Sequence, residues 1–367
     1  MLQPLIVGFG RAGRELHLRC LQKARADHAR LISPEIGVVA YEEEYYDRSD
    51  ASGLRLFESM ADARKIFGED CIVHICTPPA SHFSVIQEAA ELGFKRLIVE
   101  KPLASTLDEV EQIQALRKTH KLEVFVVATW LTSSLTARLK TMLDARSANA
   151  WTRMSISQLK PRFSRTLNNR SHTRALDVEI PHQVALSLYL TGRNMEVIAA
   201  SCSDMRVNGT TIPLMGAATI LLQGPNGKLC ALHSDLTAPV RQRSIEIVFE
   251  DGSKVVGYFP SEGTDSFSQL HSFGQANELV KREVFFDDPL STFLEETYHY
   301  FEFGLAPPGD KAECRHTSHE LPSIDDCPSS PCFIHAGLFP PMPRRVLILR
   351  ALGKRYLILP SSCLPAK

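Results

Sequence analysis

The feature that most limits the fold lies near the amino terminus, where the apolar run Leu5-Ile6-Val7 breaks at Gly8-Phe9-Gly10-Arg11-Ala12-Gly13. Apolar residues then recur at helical spacing. A strand, a glycine turn and a helix in that order suit a dinucleotide. Gly8 permits the bend, Gly10 lets the main chain approach a pyrophosphate at the helix start, and Gly13 lets helix and strand pack closely. An ordinary glycine turn also has this pattern, but the strand before it and the helix after it are the context a dinucleotide turn requires.

The same alternation continues for some 130 residues. A second strand is expected over 36–41, ending at Tyr41 and followed by Glu42-Glu43-Glu44. A carboxylate there takes ribose hydroxyls and repels a 2′-phosphate, so Glu42 favours NAD over NADP; Arg48 is near enough in sequence to serve a phosphate, and NADP stays possible. Residues 71–76 predict a buried strand, Thr77-Pro78-Pro79 a turn, and 81–92 a helix capped by Ser81 and stopped by Gly93. A strand over 96–99 runs into Glu100-Lys101-Pro102. Thr106, with Glu109 three residues on, predicts a capping box for a helix to about 117, and 123–127 is one more strand. Strands alternating with helices imply a doubly wound parallel sheet with its ligands at the carboxyl ends of the strands, where Thr77 and Lys101 sit.

Beyond about residue 144 the pattern changes. A strand is expected over 151–160, and from 197 strand-like runs are joined by hairpin signals at Pro225-Asn226-Gly227 and Asp251-Gly252. This predicts a second, α+β domain with a large, mostly antiparallel open-faced sheet. One helix interrupts it, with Pro181 in its first turn and Gly192 past its end, and it carries His182. Asp177 and Glu179 lead into that helix. Asp288-Pro289 opens a helix to about 303, and from 306 onward the chain is rich in Pro, Ser and Cys. The expected division is a dinucleotide-binding Rossmann domain over 1–128, a substrate-binding and oligomerisation domain over 129–305, and an irregular tail over 306–367.

Composition excludes several functions. Lys plus Arg, 41, nearly balance Asp plus Glu, 42, so nothing points to nucleic acid or to a charged membrane surface. The start lacks a basic leader, and no uncharged apolar run could span a bilayer, which predicts a cytoplasmic protein. Its nine cysteines have no framework spacing and are expected as reduced thiols. The spacing of Cys314, His316, His319, Cys327, Cys332 and His335 matches no metal-ligand pattern, so no metal is expected.

With these pieces located, the chain resembles the glucose-fructose oxidoreductase, inositol dehydrogenase and rhizopine-catabolism (Gfo/Idh/MocA) family of NAD(P)-dependent oxidoreductases. Three stretches carry the resemblance: the glycine turn; Ile75-Cys76-Thr77-Pro78-Pro79-Ala80-Ser81-His82 leading into Val99-Glu100-Lys101-Pro102-Leu103-Ala104; and His182 ten residues before Gly192. The resemblance implies a cofactor site of Gly8, Phe9, Gly10, Arg11, Ala12, Gly13, Tyr41, Glu42, Thr77, Pro78, Pro79, His82, Glu100 and Lys101. It also implies homodimers or homotetramers formed through the open sheet face. The family's Asp four residues before the histidine is Val178 here, with Asp177 and Glu179 on either side. Its glycine-rich approach is replaced by Ser171-His172-Thr173-Arg174-Ala175, and its arginine-containing segment by Thr129-Trp130-Leu131-Thr132.

The expected chemistry is hydride transfer between the nicotinamide and a secondary alcohol or ketone of a polyol, sugar, cyclitol or sugar derivative. Lys101 would hydrogen-bond the oxygen as alkoxide-like charge develops, and His182, with an ordinary pKa of roughly 6.5, would take the proton. The helix start disfavours imidazolium, and Asp177 or Glu179 would orient the ring. His82 is expected to support the Thr77 turn. Two other readings stay open: a C=N or C=C reductase of the same fold, and a regulator that senses NAD without catalysis.

Overall fold

The computed structural model describes residues 1–305 apart from 29, 41–52, 147–149, 169–171, 193–194 and 262–264. Tyr41, Glu42, Arg48, Ser171, and the whole of 306–367 with its cysteines and histidines, lie outside the described residues. The described chain forms two compact units, one of residues 1–132 with 289–305 and one of residues 133–288.

In the first unit, six strands form one parallel sheet: β1 (Pro4–Val7), β2 (Ile36–Val39), β3 (Leu54–Phe57), β4 (Ile72–Ile75), β5 (Arg96–Val99) and β6 (Glu123–Val126), in the order β3-β2-β1-β4-β5-β6. The chain builds outward from β1 through β2 to β3, then crosses to β4 on the other side. That reversal opens a crevice at the carboxyl ends of β1 and β4, the place where such sheets bind ligands. The apolar strands β1, β2 and β4 are buried on both faces. One face packs with α2 (Met60–Phe67), α3 (His82–Glu91) and α4 (Leu107–His120) around Leu5, Val73, Ile86 and Val99. On the other, Ile6, Ile72 and Ile98 pack with Leu18, Leu21, Phe293, Leu294 and Tyr298.

Local chemistry explains most of the helix ends. Thr106 and Glu109 form the expected capping box, and Gly93 takes φ +86° past the end of α3. The expected Ser81 cap is corrected: its hydroxyl donates to the Pro78 carbonyl at 2.9 Å, and a 3-10 turn, Pro79–Ser81, leads into α3. The helix after the glycine turn is also not regular. Its first stretch, Ala12–Leu18, is π-helical, and α1 (Arg19–Asp27) continues it.

The second unit holds α5 (Ser134–Ala145), α6 (Phe163–Asn168), α7 (Ile180–Thr191) and an eight-stranded sheet. Its strands are β7 (Trp151–Leu159), β8 (Glu196–Cys202), β11 (Ala217–Gln223), β12 (Leu229–Asp235), β13 (Gln242–Phe249), β14 (Lys254–Tyr258), β15 (Phe267–Phe273) and β16 (Leu279–Phe286), ordered β16-β15-β14-β13-β7-β12-β11-β8. A separate ribbon pairs β9 (Met205–Val207) with β10 (Thr210–Ile212). All pairings in the large sheet are antiparallel except β7 with β12. Alternation along these strands buries one face, against which α5 and α7 pack. Gly257 lets α5 lie close to the sheet, because a Cβ there would meet the Leu135 methyls at 2.9 and 3.0 Å. Both expected hairpins are present, β11 to β12 and β13 to β14.

Helix α8 (Pro289–Phe303), expected in the second domain, goes to the first unit. Its Phe293, Leu294 and Tyr298 are fully buried on the Ile6 face, so the core of the first sheet is completed from the far end of the described residues. The outgoing and returning strands of chain run side by side. Thr132 Oγ1 donates to the Pro289 carbonyl at 2.7 Å.

Candidate functional site

Three glycines shape the turn after β1 in different ways. Gly8 has φ +91°, and a Cβ there would stand 2.8 Å from the Thr77 nitrogen and 2.9 Å from the Cys76 carbonyl carbon. The turn therefore abuts the end of β4 main chain to main chain. At Gly13 a Cβ would stand 2.2 Å from the Gly8 carbonyl oxygen, whereas at Gly10 it would meet nothing within 4 Å. The middle glycine thus faces open space at the helix start, where unpaired N–H groups and the positive end of the dipole favour a phosphate. Arg11 is exposed and pairs with Glu15 at 3.0 Å. Phe9 is buried.

Thr77 ends β4 beside Gly8. Its hydroxyl is buried and has no hydrogen-bond partner among the described residues, as suits a group that awaits a ligand atom. After Pro78 and Pro79 comes His82, whose buried ring lies 2.8 Å from the Thr77 carbonyl through Nε2 and 2.9 Å from the Pro102 carbonyl through Nδ1. It joins the β4 turn to the turn after β5. Burial pushes its pKa down against the two carbonyls and Glu100, which push it up. Glu100 donates its own amide to the Ile75 carbonyl, and one of its carboxylate oxygens accepts the Lys101 amide at 3.2 Å. The other lies 3.2 Å from His17 Nε2. Lys101 follows directly and is half-buried, joined to Pro102 by a cis peptide. Gly10, Thr77 and the helix start together form a cradle that fits a dinucleotide pyrophosphate.

In the second unit, His182 sits in the first turn of α7, largely buried, with its amide bonded to the Glu179 carbonyl at 3.1 Å. The two acids weighed as its orienter have basic partners of their own. Asp177 takes a two-pronged bond from Arg174, 3.1 Å on each arm, and Glu179 forms an ion pair with Lys160 at the end of β7. Arg243 is half-buried, and Glu179 offsets part of the desolvation that lowers its pKa. Under α7, Gln183 Nε2 donates to the His233 carbonyl at 2.8 Å. Sequence reasoning weighed neither Lys160 nor Arg174, and it passed over His17, His74 and Tyr298 in the first unit. A histidine inside the apolar run Ile72–Ile75 was the available signal, since a buried polar side chain needs a partner. Among the described residues no group of acids, histidines and cysteines could hold a metal, and no helix is long and apolar enough to cross a membrane.

No curated protein sequence matches the chain. Solved structures do, at identities that speak for the fold. UDP-N-acetylglucosamine 3-dehydrogenase from Acidithiobacillus ferrooxidans is 20% identical with a TM-score of 0.64, over 84% of this chain and 91% of that one. KijD10, a 3-ketoreductase from Actinomadura kijaniata in complex with TDP-benzene and NADP, is 14% identical with a TM-score of 0.66, over 82% and 88%. The dehydrogenase MviM from Clostridium difficile is 12% identical with a TM-score of 0.63, over 91% and 96%. Residues 2–128 match the sequence model of the Gfo/Idh/MocA oxidoreductases, described as an oxidoreductase family with an NAD-binding Rossmann fold. Over this stretch, which holds the glycine turn and the Glu100-Lys101-Pro102 strand end, the chain is similar to the NAD-binding domain of the Gfo/Idh/MocA oxidoreductases.

Proposed function

We propose that the protein is an NAD(P)-dependent dehydrogenase or reductase acting on a secondary alcohol or ketone of a sugar, cyclitol or sugar derivative, with Lys101 and His182 handling the proton. The observation that carries this reading is the placement of Lys101 at the carboxyl end of β5, next to the β1/β4 crevice, with its main chain tied through the Glu100 carboxylate. When bound, the nicotinamide supplies the hydride chemistry. Gly10 and the helix start hold the pyrophosphate, and the Thr77 hydroxyl offers a further hydrogen bond. The Lys101 ammonium hydrogen-bonds the substrate oxygen and stabilises negative charge as it develops there. His182 takes the hydroxyl proton in oxidation and returns it in reduction. Of the two flanking acids, Glu179 acts through its pair with Lys160, and Asp177 is engaged by Arg174.

Among substrate classes, nucleotide sugars come first, because two structural neighbours are named as a UDP-N-acetylglucosamine 3-dehydrogenase and a 3-ketoreductase seen with a TDP derivative. NAD is the expected cofactor on account of Glu42. The exposed face of the second sheet is the expected surface for a homodimer or homotetramer. The test is a screen of nucleotide sugars, polyols and aldoses for reduction of NAD+ and NADP+, repeated with Lys101→Ala. Turnover by the wild-type chain that falls by about 10²- to 10⁴-fold in the variant, with NADH binding unchanged, supports the reading. Full turnover by Lys101→Ala overturns it.

A further inference from the structure

Behind the strand end that carries Lys101 runs a row of polar side chains that the proposed chemistry leaves idle. It crosses the face of the first sheet where the cross-strand neighbours of His74 are Ile6 and Ile98. Tyr298 Oη of α8 lies 2.8 Å from His74 Nε2; His74 Nδ1 lies 2.8 Å from His17 Nδ1; and His17 Nε2 lies 3.2 Å from a Glu100 carboxylate oxygen. His17, His74 and Tyr298 are fully buried. Such a row costs desolvation that an apolar interior would avoid, so it persists only if every atom finds its partner.

The proton order follows from the end that is fixed. The Glu100 carboxylate accepts, so His17 carries a proton on Nε2, and in the neutral ring Nδ1 is then the acceptor. His74 must then carry its proton on Nδ1 and donate to His17, which leaves Nε2 to accept from the Tyr298 hydroxyl. In this order every contact has one donor and one acceptor. An imidazolium on His74 is opposed by burial first and by His17 beside it. The same Glu100 carboxylate accepts the Lys101 amide with its second oxygen. A bond to each oxygen leaves the carboxylate one orientation.

We propose that His17 is a positioning residue for Lys101. It holds Glu100 in the orientation that fixes the Lys101 main chain, and His74 and Tyr298 hold His17 in the tautomer this requires. The function of this positioning rests on the reading of Lys101 as the proton-handling group, but the geometry can be tested without it.

Two substitutions separate positioning from packing. His17→Gln puts an amide N–H near the place of Nε2 and retains the bond to Glu100, whereas His17→Asn reaches only the place of Nδ1 and loses it. The first readout is competitive labelling of lysines by trace acetic anhydride in the whole protein. Lys101 in His17→Asn is expected to react about fivefold faster relative to Lys118, equivalent to about 1 kcal/mol, with rescue in His17→Gln. The second is ¹⁵N NMR of the wild-type histidines, which needs no variant and is expected to show the Nε2–H form of His17 and the Nδ1–H form of His74. Equal labelling of Lys101 in His17→Asn and wild type, like behaviour of the Gln and Asn variants, or the Nδ1–H form at His17 overturns the proposal. On a substrate from the screen, His17→Asn should lower kcat by the same factor with NADH affinity unchanged. Full turnover by Lys101→Ala removes the catalytic reading, while the labelling and the tautomers still decide the positioning.

Discussion

The glycine turn allows binding to be separated from folding with a single methyl group. In Gly10→Ala the added Cβ meets no atom within 4 Å and the main chain is not in the left-handed region, so stability should stay within about 0.5 kcal/mol of wild type. The open space it enters is the approach to the helix start, where a phosphate would take a backbone N–H. A hydrogen bond to a charged group contributes about 1.5–3 kcal/mol, and its loss raises the NADH Kd about ten- to a hundredfold. Gly13→Ala differs, because its Cβ would lie 2.2 Å from the Gly8 carbonyl oxygen, an atom of a turn that is itself pressed against β4. The turn would have to open, at about 1–3 kcal/mol or more, and both stability and binding should fall. Fluorescence titration with NADH and urea unfolding of the three chains measure both quantities. A Gly10→Ala protein that binds NADH like wild type, or that loses stability as Gly13→Ala does, would refute the assignment of the turn.

Other perturbations test the packing around the site. His74 is held well below its ordinary pKa by burial and then by His17, and His82 is lowered by burial, so below about pH 6.5 the unfolded chain binds protons that the native chain does not. Stability is therefore full above that pH and falls on acidification by up to about 1.4 kcal/mol per pH unit for each such histidine, and a urea midpoint equal at about pH 7 and about pH 5.5 would contradict this. Tyr298→Phe keeps the ring but leaves His74 Nε2 without its donor, and should cost about 1–3 kcal/mol, read from faster hydrogen exchange of the β4 amides. Asp287 is buried and accepts from Ser133 Oγ, Ser268 Oγ and the Ser134 amide at the start of α5; Asp287→Ala should destabilise the second unit by about 3 kcal/mol in urea unfolding. Thr106→Ala removes one arm of a capping box and should cost about 1 kcal/mol, seen as faster exchange in the first turns of α4.

What was legible in the sequence was what short-range chemistry decides. The glycine turn, the Thr106 capping box, the stop at Gly93 and the two hairpins all depend on residues within a few positions of one another, and each formed where the pattern placed it. Short elements without a strong pattern were missed. β3 is a half-buried edge strand, and α2 and α5 are short helices whose apolar residues mix with charged ones. Long-range pairing was the least accessible. Nothing local links His74 to Tyr298, 224 residues away, or Glu179 to Lys160 on another element. Asp177 and Glu179 flank Val178 alike, and each has a basic partner, Arg174 three residues away and Lys160 on another element.

The return of α8 to the first sheet also sets a timetable. Residues 1–132 leave the ribosome with one face of their sheet lacking Phe293, Leu294 and Tyr298, and that face stays incomplete until roughly 160 more residues are made, about 8–30 s at ordinary rates of synthesis. For that interval the nascent sheet exposes apolar surface around Ile6, Ile72 and Ile98, a target for chaperones and a route to aggregation. A chain truncated just after the stretch 2–128 would keep that state permanently, so the smallest fragment able to complete this core must carry α8.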